Sequence, residues 1–409
     1  MKRTFKLLPF YLFALLLLGS CTPSSTTEEK APEAFRVSTA GREASCPFLT
    51  KDEKGNPVLC WVQATEAAEN YLLHYAVSAD GGKTFGAPKA IPTTKGVYPH
   101  DENLSKLLFK ENGDMMAMFA VSNPNPENSY AGLVYYTQSF DGGNTWTAPK
   151  QLAENTVNSI DERYFDMALL PDGEIAAVWL DSRKDTPKEG SSLYFARTSG
   201  RNGFTGEKAI DRQLCQCCRT DLYVDEQKRL HVAYRGILND SIRDMMHMVS
   251  ADNGRNFSGP ERISEDNWVI RGCPHTGPTM ASNGKGMHYA WYTMGGGRGV
   301  FYSWHDGKGF YPKKPVSTAQ AAKHPQMTVF DQGRLAIVWD ERKSAGSSIG
   351  LQIRNETGEL LSSTHLTPDS VTAVYPVITP IAARNLLVAY TQKPEKGSEV
   401  WYRLVTVAE

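Results

Sequence analysis

Three cysteines lie within four positions of one another near the middle of the chain. The run Cys215-Gln216-Cys217-Cys218 is followed, some fifty residues later, by Cys273-Pro274-His275. Thiolate sulfur and imidazole nitrogen together suit zinc or copper. The spacing is not that of a zinc ribbon, so disulfide bonding and redox-active thiols remain open alternatives. The two groups can share one ion only if the fold brings them together.

Cysteine and histidine recur at comparable places elsewhere, close to where an apolar segment begins. If these segments converge on one axis, we expect the residues at their starts to form a ring of copper or zinc ligands. The candidate ligands are Cys46, His100, Cys215, Cys217, Cys218, Cys273, His275 and His324.

Arginines form a second class of candidates, because a planar guanidinium can bind a carboxylate or phosphate with two parallel hydrogen bonds. The runs Asp181-Ser182-Arg183 and Asp340-Glu341-Arg342 leave structural Asp–Arg pairing open as an alternative. The candidate substrate-binding residues are Arg163, Arg183, Arg235, Arg298 and Arg342.

A scaffold that returns repeatedly to one centre would position these residues. A turn followed by an apolar strand with an aromatic residue recurs seven times, at intervals of 48 to 60 residues. Each unit reads as strand, turn, strand, loop, strand, turn, strand, which is the period of a β-propeller blade. The sequence therefore predicts an all-β propeller of seven four-stranded blades. The marker aromatics are Trp61, Phe119, Trp179, Tyr234, Trp291, Trp339 and Tyr390.

The two ends of the repeat complement each other. The last unit contains only three strands, whereas residues 35–39 form an extra strand before the first unit. We expect this N-terminal strand to complete the last blade, because closing the ring protects its strand edges. The predicted propeller covers residues 35–409.

An eight-residue phrase lies between the third and fourth strands of several units. The phrase Ser78–Phe85 recurs as Ser139–Trp146 and Ser250–Phe257, with a more divergent copy at Ser303–Phe310. Its aspartates, Asp80, Asp141 and Asp252, are expected to accept hydrogen bonds within their own turns, while glycines supply positive φ. The phrase resembles the Asp box, or BNR repeat, of sialidase-like propellers.

This resemblance spans most of residues 35–409 and implies a propeller that binds or hydrolyses glycans at its channel mouth. The well-known sialidases have six blades, which is the alternative to seven. Sialidases use an arginine triad, a tyrosine nucleophile paired with glutamate, and an aspartate acid/base. Tyr375 begins an inner strand as that nucleophile does, and Asp101 and Asp166 are candidate acids. Neither the triad nor the glutamate is recognisable, so the resemblance leaves catalysis open.

The N-terminus predicts export. Lys2, Arg3 and Lys6 precede an apolar run, and Leu18-Gly19-Ser20-Cys21 resembles a bacterial lipobox. We expect residues 1–20 to be a signal peptide, Cys21 to be lipidated, and residues 21–34 to form a flexible tether holding the protein on a membrane of the cell envelope. An ordinary secretory signal is the alternative.

The formal net charge is -1, and no basic stripe points to nucleic acid. Three functions remain: a glycan-directed envelope protein, a copper or zinc protein using the Cys/His ring, and a protein-interaction scaffold.

Overall fold

The computed structural model describes residue 1 and residues 33–66, 70–184, 190–319 and 321–408. Residues 1–20, Cys21 and most of the tether lie outside this part of the chain, apart from Met1. Within it, twenty-eight strands form seven four-stranded sheets. Among the described residues no helix is long and apolar enough to cross a membrane.

Each sheet is one antiparallel blade, numbered here in chain order. Blade 1 contains β2 Ala44–Lys51, β3 Pro57–Ala64, β4 Tyr71–Val77 and β5 Lys89–Ala90. Blade 2 contains β6 Lys106–Phe109, β7 Met115–Ser122, β8 Gly132–Ser139 and β9 Lys150–Gln151. Blade 3 contains β10 Ser159–Leu169, β11 Ile175–Arg183, β12 Ser191–Thr198 and β13 Phe204–Leu214. Blade 4 contains β14 Asp221–Val224, β15 Leu230–Arg235, β16 Met245–Ser250 and β17 Glu261–Arg262.

The remaining blades follow the same plan. Blade 5 contains β18 Thr279–Asn283, β19 Gly286–Thr293, β20 Gly299–His305 and β21 Lys314–Ser317. Blade 6 contains β22 Lys323–Phe330, β23 Arg334–Arg342, β24 Ser347–Arg354 and β25 Leu360–His365. Blade 7 contains β26 Ala373–Ala382, β27 Asn385–Gln392, β28 Glu399–Thr406 and the N-terminal strand β1 Ala34–Arg36.

The N-terminal strand completes the last blade, as predicted. β1 pairs with β28 so that Phe35 lies opposite Tyr402, and their ring centroids are 5.6 Å apart. The prediction of seven blades is confirmed, and the six-bladed alternative is wrong.

The core lies between neighbouring blades. All seven marker aromatics are buried in the second strands of their blades. Seven buried apolar clusters fill the described part of the ring, one at each blade-to-blade junction. At the closing junction, Trp61 of blade 1 belongs to the same cluster as Leu387 and Tyr402 of blade 7. Burial of apolar surface therefore holds the last blade against the first.

The repeated eight-residue phrase forms a hydrogen-bonded turn between the third and fourth strands. In blade 2, Asp141 Oδ1 accepts hydrogen bonds from Ser139 Oγ and the Thr145 backbone N–H, both at 2.9 Å. Hydrogen bonds from Thr145 hold the pKa of Asp141 down at about 2. Asp80 and Asp252 accept equivalent bonds, from residues 84 and 256 respectively.

In five blades, a non-glycine residue near the start of the innermost strand has a left-handed backbone conformation, which is uncommon for such residues. In blades 1, 3, 6 and 7 the residue lies at a register shift between the first and second strands, as in a β-bulge. Strained positions of this kind tend to cluster at functional sites. The residues are Cys46 (φ 59°), Tyr164 (53°), His275 (50°), His324 (51°) and Tyr375 (52°).

Candidate functional site

A cavity of about 770 Å³ opens at the mouth of the propeller, between blades 2 and 5. Its wall comes from segments that precede or begin the inner strands, and from the ends of second and third strands with the loops between them. Exposed aromatic rings belong to it, with Tyr98 51% and Tyr130 82% accessible. The wall also contains five candidates from the sequence: His100, Arg163, Cys217, Cys273 and His275.

Two imidazoles face each other in this mouth pocket. The ring centroids of His100 and His275 are 6.4 Å apart, and His100 also contacts Tyr164 edge-on at 5.7 Å. Burial lowers the pKa of His100 to about 4, and the nearby His275 and Arg163 act in the same direction. His100 is therefore neutral near pH 7.

The thiols of the Cys215–Cys218 turn converge beside this pocket. The Cys215 sulfur lies 3.5 Å from the sulfurs of both Cys217 and Cys218, and all three side chains are buried. Cys217 also lies in a second group, whose ligand atoms on Cys217, Cys273 and His275 are all within 4.8 Å of one another. The fold thus brings together residues from blades 4 and 5 that are some fifty positions apart. The six cysteines in the described part of the chain all have free thiols.

Arg163 is oriented by its neighbours. Its Nη2 donates to Asp161 Oδ2 at 2.5 Å, and its guanidinium lies 5.4 Å from the centre of the Tyr164 ring. The charge of Arg163 is therefore largely balanced by Asp161 within the pocket wall.

A second cluster forms on the other side of the mouth, from blades 1, 2, 6 and 7. The Cys46 thiol donates to Asp101 Oδ1 at 3.6 Å. His324 stacks on Tyr375 with ring centroids 4.0 Å apart, and its Nδ1 lies 2.8 Å from Asp340 Oδ2. The same Asp340 oxygen accepts the backbone N–H of Tyr375 at 2.8 Å. This Cys46–Tyr375 cluster contains five of the polar residues at the mouth but does not line the larger cavity.

The ionisation of this cluster disfavours a phenolate nucleophile. Burial, followed by the charge of Asp101, raises the pKa of Tyr375 above its usual range. Burial likewise raises the pKa of Asp101. The ring of Tyr375 is packed on a histidine, and the carboxylate beside it is Asp340. The carboxylate of Glu102 also lies near enough for its charge to raise the pKa of Tyr375, although Glu102 is paired with Arg219.

A buried ion pair lies between the two clusters. Arg219 Nη1 donates to Glu102 Oε1 at 3.0 Å, and Glu102 Oε2 accepts the backbone N–H of Gly277 at 3.0 Å. Arg219 Nη2 also donates to the carbonyl oxygens of Pro278 and Pro325, both at 3.2 Å. The pair links blades 2, 4, 5 and 6. Neither residue was among the sequence candidates, although both directly adjoin one: Glu102 follows Asp101 and Arg219 follows Cys218.

Asp166 lines a smaller cavity together with Arg219 rather than the mouth pocket. It is 4% exposed, it forms an ion pair with Lys106, and its Oδ2 accepts the backbone N–H of Leu222 at 2.9 Å. Burial, then repulsion from Asp166, raises the pKa of the neighbouring Asp221 to about 7. Asp166 thus serves the packing of the inner strands.

The other candidate arginines occupy different environments. Arg183 is buried between Asp181 and Glu207, with nitrogen–oxygen distances of 2.8 and 2.7 Å. Arg235 is also buried, and its guanidinium donates to carbonyl oxygens, including that of Tyr292 at 2.8 Å. Arg298 and Arg342 are exposed and do not line the mouth pocket. Of the five arginines, only Arg163 lines this cavity.

The sequence did not single out Tyr98, which lies at the pocket rim. Its position directly before Pro99-His100 was the available signal. Tyr130, in contrast, is an aromatic residue in the loop between β7 and β8, and this loop position could be predicted from the strand pattern.

No protein-family model matches the chain, and no curated protein does. Solved structures do share its architecture. A protein of unknown function from Dyadobacter fermentans is 16% identical, with a TM-score of 0.56 over 93% of this chain and 99% of that one.

Two enzymes are similar at lower identity. An ulvan lyase of polysaccharide lyase family 25 is 9% identical, with a TM-score of 0.56 over 90% of this chain and 94% of its own. The NanB sialidase of Streptococcus pneumoniae is 13% identical, with a TM-score of 0.50 over 91% of this chain and 70% of its own. At these identities the likeness establishes the propeller fold.

Proposed function

We propose that the protein binds a glycan in the mouth pocket and cleaves a glycosidic bond there. The observation that carries this proposal is the pairing of a large open cavity with exposed tyrosines on its rim and a neutral imidazole on its wall. Pockets of this size accommodate small ligands or several sugar units. The fold likeness to a sialidase and an ulvan lyase supports the proposal by analogy.

Tyr98 and Tyr130 are assigned to binding. A tyrosine offers a large flat apolar face with a polar edge, which suits the CH-rich face of a sugar ring. Both rings are exposed although large aromatic residues normally bury much of their surface. A bound sugar would cover them.

His100 is assigned to proton transfer. A base must be deprotonated at working pH and must reach the reacting group. Burial keeps His100 neutral, and the cavity gives a bound ligand access to it. The catalytic candidates Tyr375 and Asp101 lie in the Cys46–Tyr375 cluster, so the proposal does not depend on the sialidase tyrosine scheme.

The test is a screen of purified protein against neutral and acidic glycans, followed by calorimetry and product analysis with the best ligand. We expect Tyr130→Ala to weaken binding by about tenfold, which corresponds to about 1.4 kcal/mol of binding free energy. Tyr311→Ala is the matched control, because Tyr311 is also exposed but lies outside the pocket. His100→Ala should abolish cleavage while leaving binding measurable. Equal loss in Tyr130→Ala and Tyr311→Ala would contradict the assignment.

We further propose that the protein is held on a membrane of the cell envelope by a lipid on Cys21, on the strength of the lipobox-like run ending there. A surface glycan would then be within reach of the tethered pocket.

A further inference from the structure

Three side chains at one edge of the mouth pocket are arranged like the protein ligands of a metal centre. Cys217 lies in the turn that leads into blade 4, whereas Cys273 and His275 lie in the segment that leads into blade 5. Their ligand atoms are all within 4.8 Å of one another. We propose that Cys217, Cys273 and His275 bind one thiophilic transition-metal ion, Zn²⁺ or Cu⁺, at the edge of the mouth pocket.

The distances fit with small adjustments. Two sulfurs bound to one zinc at about 2.3 Å each can be at most about 4.6 Å apart. Ligand atoms within 4.8 Å of one another therefore need only small side-chain rotations to reach a common ion. Cys273 and His275 are exposed, so they can make such rotations without disturbing the core.

The charges fit Zn²⁺ in particular. Two thiolates and a neutral imidazole balance its two positive charges, so the bound site leaves no net charge against the buried turn of blade 4, whereas with Cu⁺ one negative charge remains. Two cysteines and one histidine form a ligand set known for catalytic zinc, in which a fourth position stays open. All three residues line the cavity, and the open position would therefore face it.

The backbone conformation of His275 is unusual. Its φ of 50° is left-handed, although the residue is not glycine. The same segment is fixed on its far side, because the Gly277 backbone N–H donates to the buried Glu102 carboxylate at 3.0 Å. Strain fixed by a buried contact is typical of positions where side-chain direction matters.

The closest competing metal site is the buried trio of Cys215, Cys217 and Cys218, which shares the Cys217 sulfur. The open trio is favoured because it combines two chain segments, includes imidazole and has access from the cavity. A Cys217–Cys273 disulfide is the other competitor, since the same two sulfurs would form it.

The experiment is elemental mass spectrometry on the full chain purified without chelator, with a thiol count and peptide mapping of disulfides on the same sample. We expect about one zinc or copper ion per chain, and the identity of the ion decides between Zn²⁺ and Cu⁺. Titration of the metal-free protein with Zn²⁺ or Cu⁺ should give an affinity that falls by at least about tenfold in Cys273→Ser and His275→Ala, as even outer partners of metal ligands contribute that much.

Matched controls separate the competitors. His100→Ala and Cys46→Ser remove an imidazole and a thiol from the mouth but should retain the metal. A metal that persists in Cys273→Ser and His275→Ala but is lost in Cys218→Ser would place the ion in the buried trio and overturn the proposal. A Cys217–Cys273 disulfide in the purified protein, or an absence of metal with reduced thiols after addition of Zn²⁺ and Cu⁺, would also overturn it. None of these measurements needs a glycan, so the result stands apart from the glycan proposal.

Discussion

The carboxylate of Glu102 and the guanidinium of Arg219 form a buried ion pair that joins blade 2 to blade 4, with 3.0 Å between Oε1 and Nη1. The two side chains are 1% and 5% exposed. Because residues 117 positions apart supply it, the pair can form only when blades 2 and 4 have assembled around the same axis.

Removing one partner should therefore be costly. In Glu102→Gln the buried Arg219 charge loses its counterion, and we expect the free energy of unfolding to fall by about 3–5 kcal/mol. Chemical denaturation measures this change. Lys314→Ala is the control, since the exposed Lys314–Glu359 pair should contribute at most about 1 kcal/mol. Similar losses in the two variants would contradict a structural role for the Glu102–Arg219 pair.

A second prediction concerns the N-terminal strand β1, which closes the ring. The Val37 backbone N–H donates to Val400 O at 3.0 Å, and Val400 N donates to Ser38 Oγ at 3.1 Å. A chain that starts at residue 40 lacks these bonds and β1, and should be less stable than one that starts at residue 33 by about 2–4 kcal/mol. It should also self-associate, because the edge of β28 is left unpaired. Denaturation and size-exclusion chromatography test both effects, and equal behaviour of the two chains would rule out the closing role.

Two adjacent glycines in the blade 2 turn should respond differently to the same change. Both have positive φ, but a Cβ on Gly143 would lie 2.5 Å from Tyr75 Oη in blade 1, whereas one on Gly142 meets no atom within 4 Å. Gly142→Ala should cost about 1 kcal/mol from its left-handed backbone alone. Gly143→Ala should cost about 1–3 kcal/mol more through overpacking. Equal costs in thermal or chemical unfolding would mean that the turn does not pack on the neighbouring blade.

Acid should destabilise the fold through a buried histidine. His288 Nδ1 lies 2.7 Å from Tyr302 Oη, while its Nε2 has no partner among the described residues. Burial lowers the pKa of His288 to about 4. The unfolded chain therefore binds a proton below about pH 6.5 that the folded protein excludes, so stability falls as the pH drops from 6.5 towards 4.

Between pH 7 and pH 5 this histidine should account for a loss of about 2 kcal/mol. Denaturation at the two pH values should give a smaller difference for His288→Asn than for the parent chain. The difference should persist in His365→Asn, because the His365 side chain is 41% exposed. An unchanged pH dependence in His288→Asn would show that its protonation is not coupled to unfolding.

The lipid anchor can be tested by cell fractionation. The parent protein should sediment with membranes, and its N-terminal peptide should carry an acylated Cys21, because a covalently attached chain supplies membrane affinity. Cys21→Ser should move the protein to the soluble fraction, whereas Cys60→Ser, which changes a buried cysteine, should not. Membrane association that survives Cys21→Ser would point to another means of attachment.

Much of the fold could be predicted because its signals are local. Turn residues and buried aromatics repeat once per blade, so they report each blade without reference to the others. The N-terminal strand was predictable because one repeat lacked a strand. The candidate site was less predictable, since a list of the residues that begin the innermost strands does not say which of them are neighbours across the ring. Arg183, for example, was a candidate for substrate binding, yet it ends β11 and Asp181 and Glu207 bind it within its own blade.

By itself, therefore, the sequence determined the all-β class and the number of blades, because both depend on hydrogen bonding and apolar burial within about fifty residues. It also determined the strand that closes the ring, because the last repeat lacks one strand and an extra strand precedes the first repeat. Only the tertiary structure decided that Cys217 meets Cys273 and His275, that Cys46 meets Asp101, and that Glu102 meets Arg219. The physical reason is that these contacts depend on the packing of separate blades around a closed ring, and the local pattern of any one blade contains no information about the loop lying opposite it.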